Sequence, residues 1–90
     1  MAKKRERFEV IKDILQVIRG SRKIKPTRLL YASNLSPQMF KSYIDELLEK
    51  RFIQSETDEK GKKLFFITKK GNDFLEQYQI IDNFIKNFGL

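Results

Sequence analysis

The sequence predicts an α+β fold that is mainly helical, a winged helix-turn-helix with a long C-terminal dimerisation helix. Three observations predict it: three helical segments come first, two segments of strand period follow around a glycine turn, and a heptad-like apolar repeat closes the chain. A length of 90 residues fits one small domain. We therefore expect a winged helix-turn-helix domain at residues 1–68 and a C-terminal coiled-coil dimerisation helix at residues 69–90.

The first helix is predicted between Glu6 and Arg19, where apolar residues recur about every 3.6 positions. Gly20 is expected to end this helix, because glycine adopts the left-handed conformation of a helix C terminus without strain. Residues 21–25 are then expected to form a basic linker.

Two shorter helices joined by a brief turn form a predicted helix-turn-helix. Pro26 suits the first position of the second helix, since its missing N–H would have no partner there. Asn34 can end that helix in the left-handed conformation. Ser36 followed by Pro37 signals the start of a third helix, which we expect to end near Lys50.

The third helix is predicted to bury one apolar side and to expose a polar one. The apolar side consists of Phe40, Tyr43, Ile44, Leu47 and Leu48. Tyr43, and Tyr31 on the second helix, are expected to pack in the core; hydrogen bonds to phosphates are the alternative.

A change of period from 3.6 to 2 after the third helix predicts a β-hairpin. Its strands are expected at residues 52–57 and 63–68, with Gly61 in the turn between them. A hairpin that directly follows a helix-turn-helix is the wing of a winged helix.

The last helix, capped by Thr68 and running to about Phe88, is predicted to carry a dimer interface. Its large apolar residues recur at spacings of 4, 3, 4 and 3, the a/d seam of a coiled coil: Phe74, Tyr78, Ile81, Ile85 and Phe88. On a monomer they would leave a large apolar patch, so we expect a homodimer; packing on the domain's own core is the alternative. Gly71 in the first turn indicates close packing or a frayed start.

The positive charge of the chain is concentrated in its first third. The net charge is +7, and residues 1–28 account for all of it, with ten lysines and arginines against three acidic residues. The basic residues at positions 3–7 are expected to form an arm. A small basic protein with this asymmetry is expected to bind a polyanion.

Several classes of function are disfavoured by residue types that are missing. There is no histidine and no cysteine, so the commonest general base, the commonest nucleophile and the usual zinc ligands are lacking. We therefore expect no enzyme, no metal site, no cofactor and no small-molecule ligand. No apolar run approaches the roughly 20 residues of a membrane span, and no signal peptide is recognisable. We expect no membrane partner and a cytoplasmic, nucleoid-associated location.

The segment Thr27–Ser36 and the later segment Phe66–Gly71, which opens the long last helix, resemble a known group. With Tyr43 and residues 47–53 they are similar to the archaeal ten-kilodalton chromosomal DNA-binding proteins and their relatives, broadly transcriptional regulators. The resemblance covers residues 8–78. It implies an antiparallel coiled-coil dimer with DNA-binding surfaces at opposite ends, although the last helix here is shorter than in the longest-coiled members.

The candidate DNA contacts lie on three elements. On the third helix, whose N-terminal half would enter the major groove, they are Gln38, Lys41 and Ser42. Gln38 has an amide suited to pairing with adenine. At the start of the second helix Lys25, Thr27 and Arg28 are expected to contact the backbone. The wing residues Lys60, Lys62 and Lys63 are expected to contact the minor groove or phosphates.

The leading hypothesis is a homodimer that binds double-stranded DNA, as a transcriptional regulator or a chromatin-architectural protein. The alternative is a winged-helix module for protein–protein interaction in the transcription machinery, because few base-reading side chains face outward. RNA binding is a third option, less favoured because the aromatic residues of the hairpin are needed for packing.

Overall fold

The computed structural model describes residues 6–90, so positions 3–5 of the predicted basic arm lie outside the described residues. The elements follow in the order α1 (Arg7–Ser21), β1 (Lys23–Ile24), α2 (Pro26–Ser33), α3 (Pro37–Glu49), β2 (Ile53–Thr57), β3 (Lys63–Ile67) and α4 (Lys69–Asn87). The three strands form one antiparallel sheet in the order β1-β3-β2. The predicted mainly helical winged helix-turn-helix is confirmed.

The end of α1 differs from the prediction. The helix continues through Gly20 to Ser21, and the residue with positive φ is Arg22, at 62°. The chain must turn there to enter β1, so the demands of the sheet rather than the glycine decide where the helix ends. The prediction that Gly20 ends α1 is wrong by two residues.

The segment predicted as a basic linker contains a short strand. Lys23 and Ile24 pair with Phe66 and Phe65 on the edge of β3, and the side chain of Ile24 is buried. Two residues are too few to show a period of 2, so no local pattern indicates β1.

The predicted helix-turn-helix is confirmed, including its capping residues. Asn34 ends α2 in the left-handed conformation, with φ 55° and ψ 41°. Ser36 caps α3, its Oγ accepting a hydrogen bond from the N–H of Met39 at 3.2 Å. These caps fix where α3 begins and therefore which of its side chains face outward.

Tyr31 is not in the core, contrary to the prediction. Its side chain is 79% exposed, whereas Tyr43 on α3 is half-buried against the core. The buried positions of α2 are Leu29 and Ser33, one turn apart. Tyr31 lies two residues from each of them, which places it on the opposite side of the helix.

The wing is an ordered hairpin. Ser55 lies opposite Phe65, and the two strands are in register from Ile53 to Thr57. The Asp58 carboxylate accepts hydrogen bonds from the N–H groups of Lys60 and Lys62, at 2.9 and 2.8 Å. This acidic side chain therefore holds the turn together.

Residues of the helices and of the sheet together form the core, and α4 begins inside it. Gly71 is buried, and a Cβ atom there would lie 2.4 Å from the carbonyl oxygen of Phe52 and 2.6 Å from Cγ1 of Ile67. Close packing, and not a frayed start, therefore explains this glycine. Thr68 caps α4 as predicted, accepting from the N–H of Gly71 at 3.2 Å.

The two halves of α4 differ in their surroundings. Leu75 is buried in the core, and Phe74 packs against it. From Ile80 onward the large apolar side chains are exposed. The second half of α4 therefore carries apolar residues that the body of this chain does not cover.

Candidate nucleic-acid interface

The candidate DNA contacts of α3 form one exposed polar face. Gln38, Lys41 and Ser42 are exposed, while Phe40 on the other side of the helix is half-buried. Lys41 is paired with Asp45 one turn later, Nζ to Oδ2 at 2.7 Å. The outward side of α3 therefore presents little net positive charge.

A basic groove runs between the end of α1, the start of α2 and the sheet. Lys25 and Arg28 line a cavity of about 650 Å³, together with Lys23, Leu64 and the last turn of α1. A second cavity of about 310 Å³ lies between Lys25 and the wing turn, where Lys60 and Lys62 line it together with the acidic residues Asp58 and Glu59. Lys25 borders both cavities, and the two together are called the basic groove.

The predicted DNA-contact cations of α2 and the wing are available to an anionic partner. Within residues 6–90, none of the following five takes part in a salt bridge: Lys25, Arg28, Lys60, Lys62 and Lys63. Lys23 differs, because its Nζ lies 2.5 Å from a carboxylate oxygen of Glu56. The structure thus separates lysines that neutralise carboxylates from cations that have no acidic partner in the described part of the chain.

The remaining predicted contacts, Thr27 and Lys63, line neither cavity. Thr27 is exposed in the first turn of α2, next to Arg28. Lys63 begins β3, and its Nζ lies 5.6 Å from the centroid of the Phe65 ring, within cation–π range. Of the predicted contacts, the structure thus brings Lys25 at the start of α2 together with Lys60 and Lys62 of the wing turn.

The inner side of α3 is tied to α1 by an ionic cluster. Glu46 accepts hydrogen bonds from Arg7 on α1 and from Lys50, and the Lys50 Nζ is 2.8 Å away. These bonds, that of Arg7 above all, lower the pKa of Glu46 to about 2. Lys70 on α4 donates to the carbonyl oxygen of Lys50 at 2.8 Å. Side chains from two other helices, Arg7 of α1 and Lys70 of α4, thus contact the C-terminal end of α3.

The predicted dimer residues divide between the two halves of α4. Phe74 is half-buried, with its ring edge-on to Phe52 at 5.7 Å, and Tyr78 is half-buried beside it. Ile81, Ile85 and Phe88 are exposed.

The apolar surface of α4 extends onto α1, which the sequence did not indicate. An almost wholly apolar cavity of about 290 Å³ is lined by Phe8, Phe74, Gln77, Tyr78 and Ile81. Phe8 follows the same apolar period as the core residues of α1, so periodicity alone assigns it to the core. Its exposure shows that it belongs to the α4 surface instead.

Within residues 6–90 no cluster of three or more acidic residues is placed to hold a metal ion. None of the helices in that part of the chain is long and apolar enough to cross a membrane.

The family of this chain follows from a match that covers most of its length. Residues 4–86 match the family described as winged helix-turn-helix. The chain belongs to that family. A relative that is 45% identical over 67 residues, covering 69% of this chain and 68% of its own length, is Uncharacterized protein MJ0287 of Methanocaldococcus jannaschii.

Solved structures share this winged-helix fold. Sso10a-2, a DNA-binding protein from Sulfolobus solfataricus, superposes with a TM-score of 0.76 at 23% identity, covering 93% of this chain and 85% of that one. A mutant MarR from E. coli, complexed with operator DNA, gives a TM-score of 0.67 at 22% identity. That match covers 74% of this chain and 49% of MarR. Together with the family match, the likeness to Sso10a-2 confirms the resemblance to small archaeal winged-helix proteins.

Proposed function

We propose that this winged-helix chain is a homodimer that binds double-stranded DNA mainly through the phosphate backbone, as a transcriptional regulator or a chromatin-architectural protein. The observation that carries the proposal is the basic groove between α2 and the wing, with Lys25 bordering both of its cavities. The DNA-binding function named for Sso10a-2 and the operator complex of MarR support it.

The division of charge on this face explains why backbone contacts dominate. A helix of this length fits the major groove, and the α2 start and the wing then meet the phosphates on either side. Those flanks carry the unpaired cations, whereas Lys41 on α3 is partly neutralised by Asp45. Affinity therefore comes from the flanks, and the selectivity contributed by α3 is modest.

The exposed half of α4 supports the homodimer. Six large apolar side chains are exposed near its end: Ile80, Ile81, Phe84, Ile85, Phe88 and Leu90. A patch of this kind is typical of a protein–protein interface. We infer that it packs against a second copy of the same helix.

An antiparallel arrangement of two α4 helices would cover the apolar side chains of both halves of α4 at once. In a two-fold dimer the same surfaces of both protomers meet, so residue i contacts j and j contacts i. The exposed end of one helix would then lie in the apolar cavity formed by Phe8, Phe74 and Tyr78 of the other copy. This arrangement also places the two basic grooves at opposite ends.

A salt titration of DNA binding tests the function. Five unpaired cations per protomer predict that log K falls against log salt with a slope of about −4 to −5 for one engaged groove and about twice that for two. The double variant Lys25→Ala, Arg28→Ala should weaken binding and make the slope shallower by about two for each engaged groove.

Lys69→Ala is the matched control, because it removes a positive charge that pairs with Asp73 on α4. It should leave both the affinity and the slope close to those of the wild type. Absence of binding to duplex DNA at low salt would contradict the proposal. Capture of a protein partner that survives nuclease treatment, with no DNA binding, would favour the interaction-module alternative.

A further inference from the structure

The exposed large apolar side chains of residues 6–90 fall into two groups. Most belong to α4 or to Phe8 beside it, and the proposed dimer would cover them. Tyr31 lies instead on α2 and Met39 on α3, the two helices of the helix-turn-helix. Met39 is 50% exposed on the helix that is expected to face DNA.

The position of Met39 is determined by its neighbours. It is the third residue of α3, and its N–H donates to the capping Oγ of Ser36 at 3.2 Å. The next residue, Phe40, packs against the core. Because the backbone is held on both sides, the Met39 side chain projects from the first turn of α3 on the outward face.

Met39 differs from its neighbours on the outward face of α3, because its side chain is apolar and theirs are polar. Lys41 and Asp45 pair with each other at 2.7 Å, and Gln38 and Ser42 are uncharged. A half-exposed thioether has little to gain from water, but it packs well against another apolar group and adapts to its shape. In the major groove the distinctive apolar group is the C5-methyl of thymine.

We propose that Met39 contacts the C5-methyl group of thymine and gives this protein a preference for thymine in the major groove. The inference rests on the proposed function, since it requires α3 to enter that groove. The long, unbranched side chain reaches a methyl group in more than one register. The resulting selectivity is for methyl-bearing pyrimidines and not for one fixed site.

Two duplexes that differ only in this methyl group test the proposal. Short duplexes of alternating dA·dT and of alternating dA·dU expose the same phosphates and hydrogen-bonding groups, and only the first carries the C5-methyl. By fluorescence anisotropy the wild type should bind the dA·dT duplex about fourfold more tightly per engaged protomer, the effect of burying one methyl group. Met39→Ala should bring this ratio close to one, and Met39→Leu should retain most of it.

Lys25→Ala is the matched control. This residue borders the groove assigned to phosphates, so the variant should bind both duplexes more weakly and keep the ratio unchanged. The variants of Met39 also separate the methyl contact from any difference in shape between the duplexes, because the DNA is the same for every protein. Since Met39 is exposed, circular dichroism should show that its variants fold like the wild type.

Each outcome bears on a different claim. Equal binding of both duplexes by the wild type, or a ratio that Met39→Ala leaves intact, would overturn the thymine contact while leaving DNA binding in place. Failure to bind either duplex at low salt would remove the proposed function, and the thymine contact with it.

Discussion

Replacing glycine with alanine should have opposite effects on the stability of the fold at two helical positions, Gly71 and Gly20. At Gly71 an added Cβ would lie 2.4 Å from the carbonyl oxygen of Phe52, and at Gly20 it would meet no atom within 4 Å. The carbonyl oxygen of Phe52 belongs to the backbone at the base of the wing, so it cannot rotate away as the end of a side chain could. Replacement by alanine should therefore destabilise the fold at Gly71 and stabilise it at Gly20.

The magnitude at Gly71 follows from two opposing effects. Restoring ordinary contact requires α4 to move by about 1 Å, and such overpacking typically costs about 1–3 kcal/mol. Alanine in place of glycine stabilises a helix by about 0.5–1 kcal/mol, which offsets part of that cost. The net loss should be about 1–2 kcal/mol, a fall in Tm of roughly 5–15 °C for a domain of this size.

Gly20→Ala isolates the helix contribution, because nothing opposes the new methyl group. It should raise the free energy of unfolding by about 0.5–1 kcal/mol. Urea denaturation of both variants, at the same protein concentration because dimerisation contributes to stability, measures the two effects. The reasoning fails if Gly71→Ala is as stable as the wild type or if Gly20→Ala is less stable.

Gly71→Ala also has a consequence for function. This glycine sets the distance between α4 and the base of the wing, at Phe52 and Ile67. A shift of α4 changes the relation between the proposed dimer helix and the basic groove. The variant should therefore bind DNA with a reduced contribution from the second protomer, measured as a shallower salt slope.

Three further outcomes are expected. Replacing Ile81 and Ile85 with lysine should yield a folded monomer by sedimentation and weaken DNA binding through loss of the second contact, whereas Lys86→Ala should leave the dimer intact; a dimeric double variant would contradict the assigned interface. The lowered pKa of Glu46 means that its bonds to Arg7 and Lys50 stabilise the fold above its ordinary value of 4.5, and this stabilisation is lost as pH falls toward 2. Glu46→Gln should thus be less stable than wild type at neutral pH, the difference shrinking in denaturation curves below about pH 4.5; an unchanged difference would refute the ionic role. Thr68→Val should destabilise the fold by about 1–2 kcal/mol, because Oγ1 caps α4 and donates to the carbonyl oxygens of residues 51 and 52; thermal denaturation at one protein concentration should show this loss, and an unchanged Tm would contradict it.

Local signals accounted for most of the elements. Asn34, Ser36 and Thr68 each have side chains or backbone preferences that act within a few residues, so their capping roles are readable from the sequence. The hairpin was likewise indicated by its period and by Gly61, which has φ 78°. At each of these positions, the interaction that determines the local structure joins residues that are close together in the sequence.

Errors arose where the partner is distant in sequence. Gly20 was expected to end α1, but the helix continues because β1 pairs with a strand some forty residues away. Tyr31 is expected in the core from its aromatic character, yet burial depends on which neighbours the fold supplies, as the exposed Phe8 on the apolar face of α1 also shows. Local propensity and period contain no information on those neighbours.

By itself the sequence determined the order of the elements, their caps, the excess of positive charge in the first 28 residues and the apolar repeat of the last helix. Only the tertiary structure decided how that charge is arranged. It leaves Lys25 and Arg28 free to line a groove with the wing, and it pairs Lys41 with Asp45. It also decided that Gly71 is a point of close approach and that Phe8 joins the surface of α4. The physical reason is that charge, period and capping are properties of neighbouring residues, whereas ion pairing and burial depend on side chains that folding brings together.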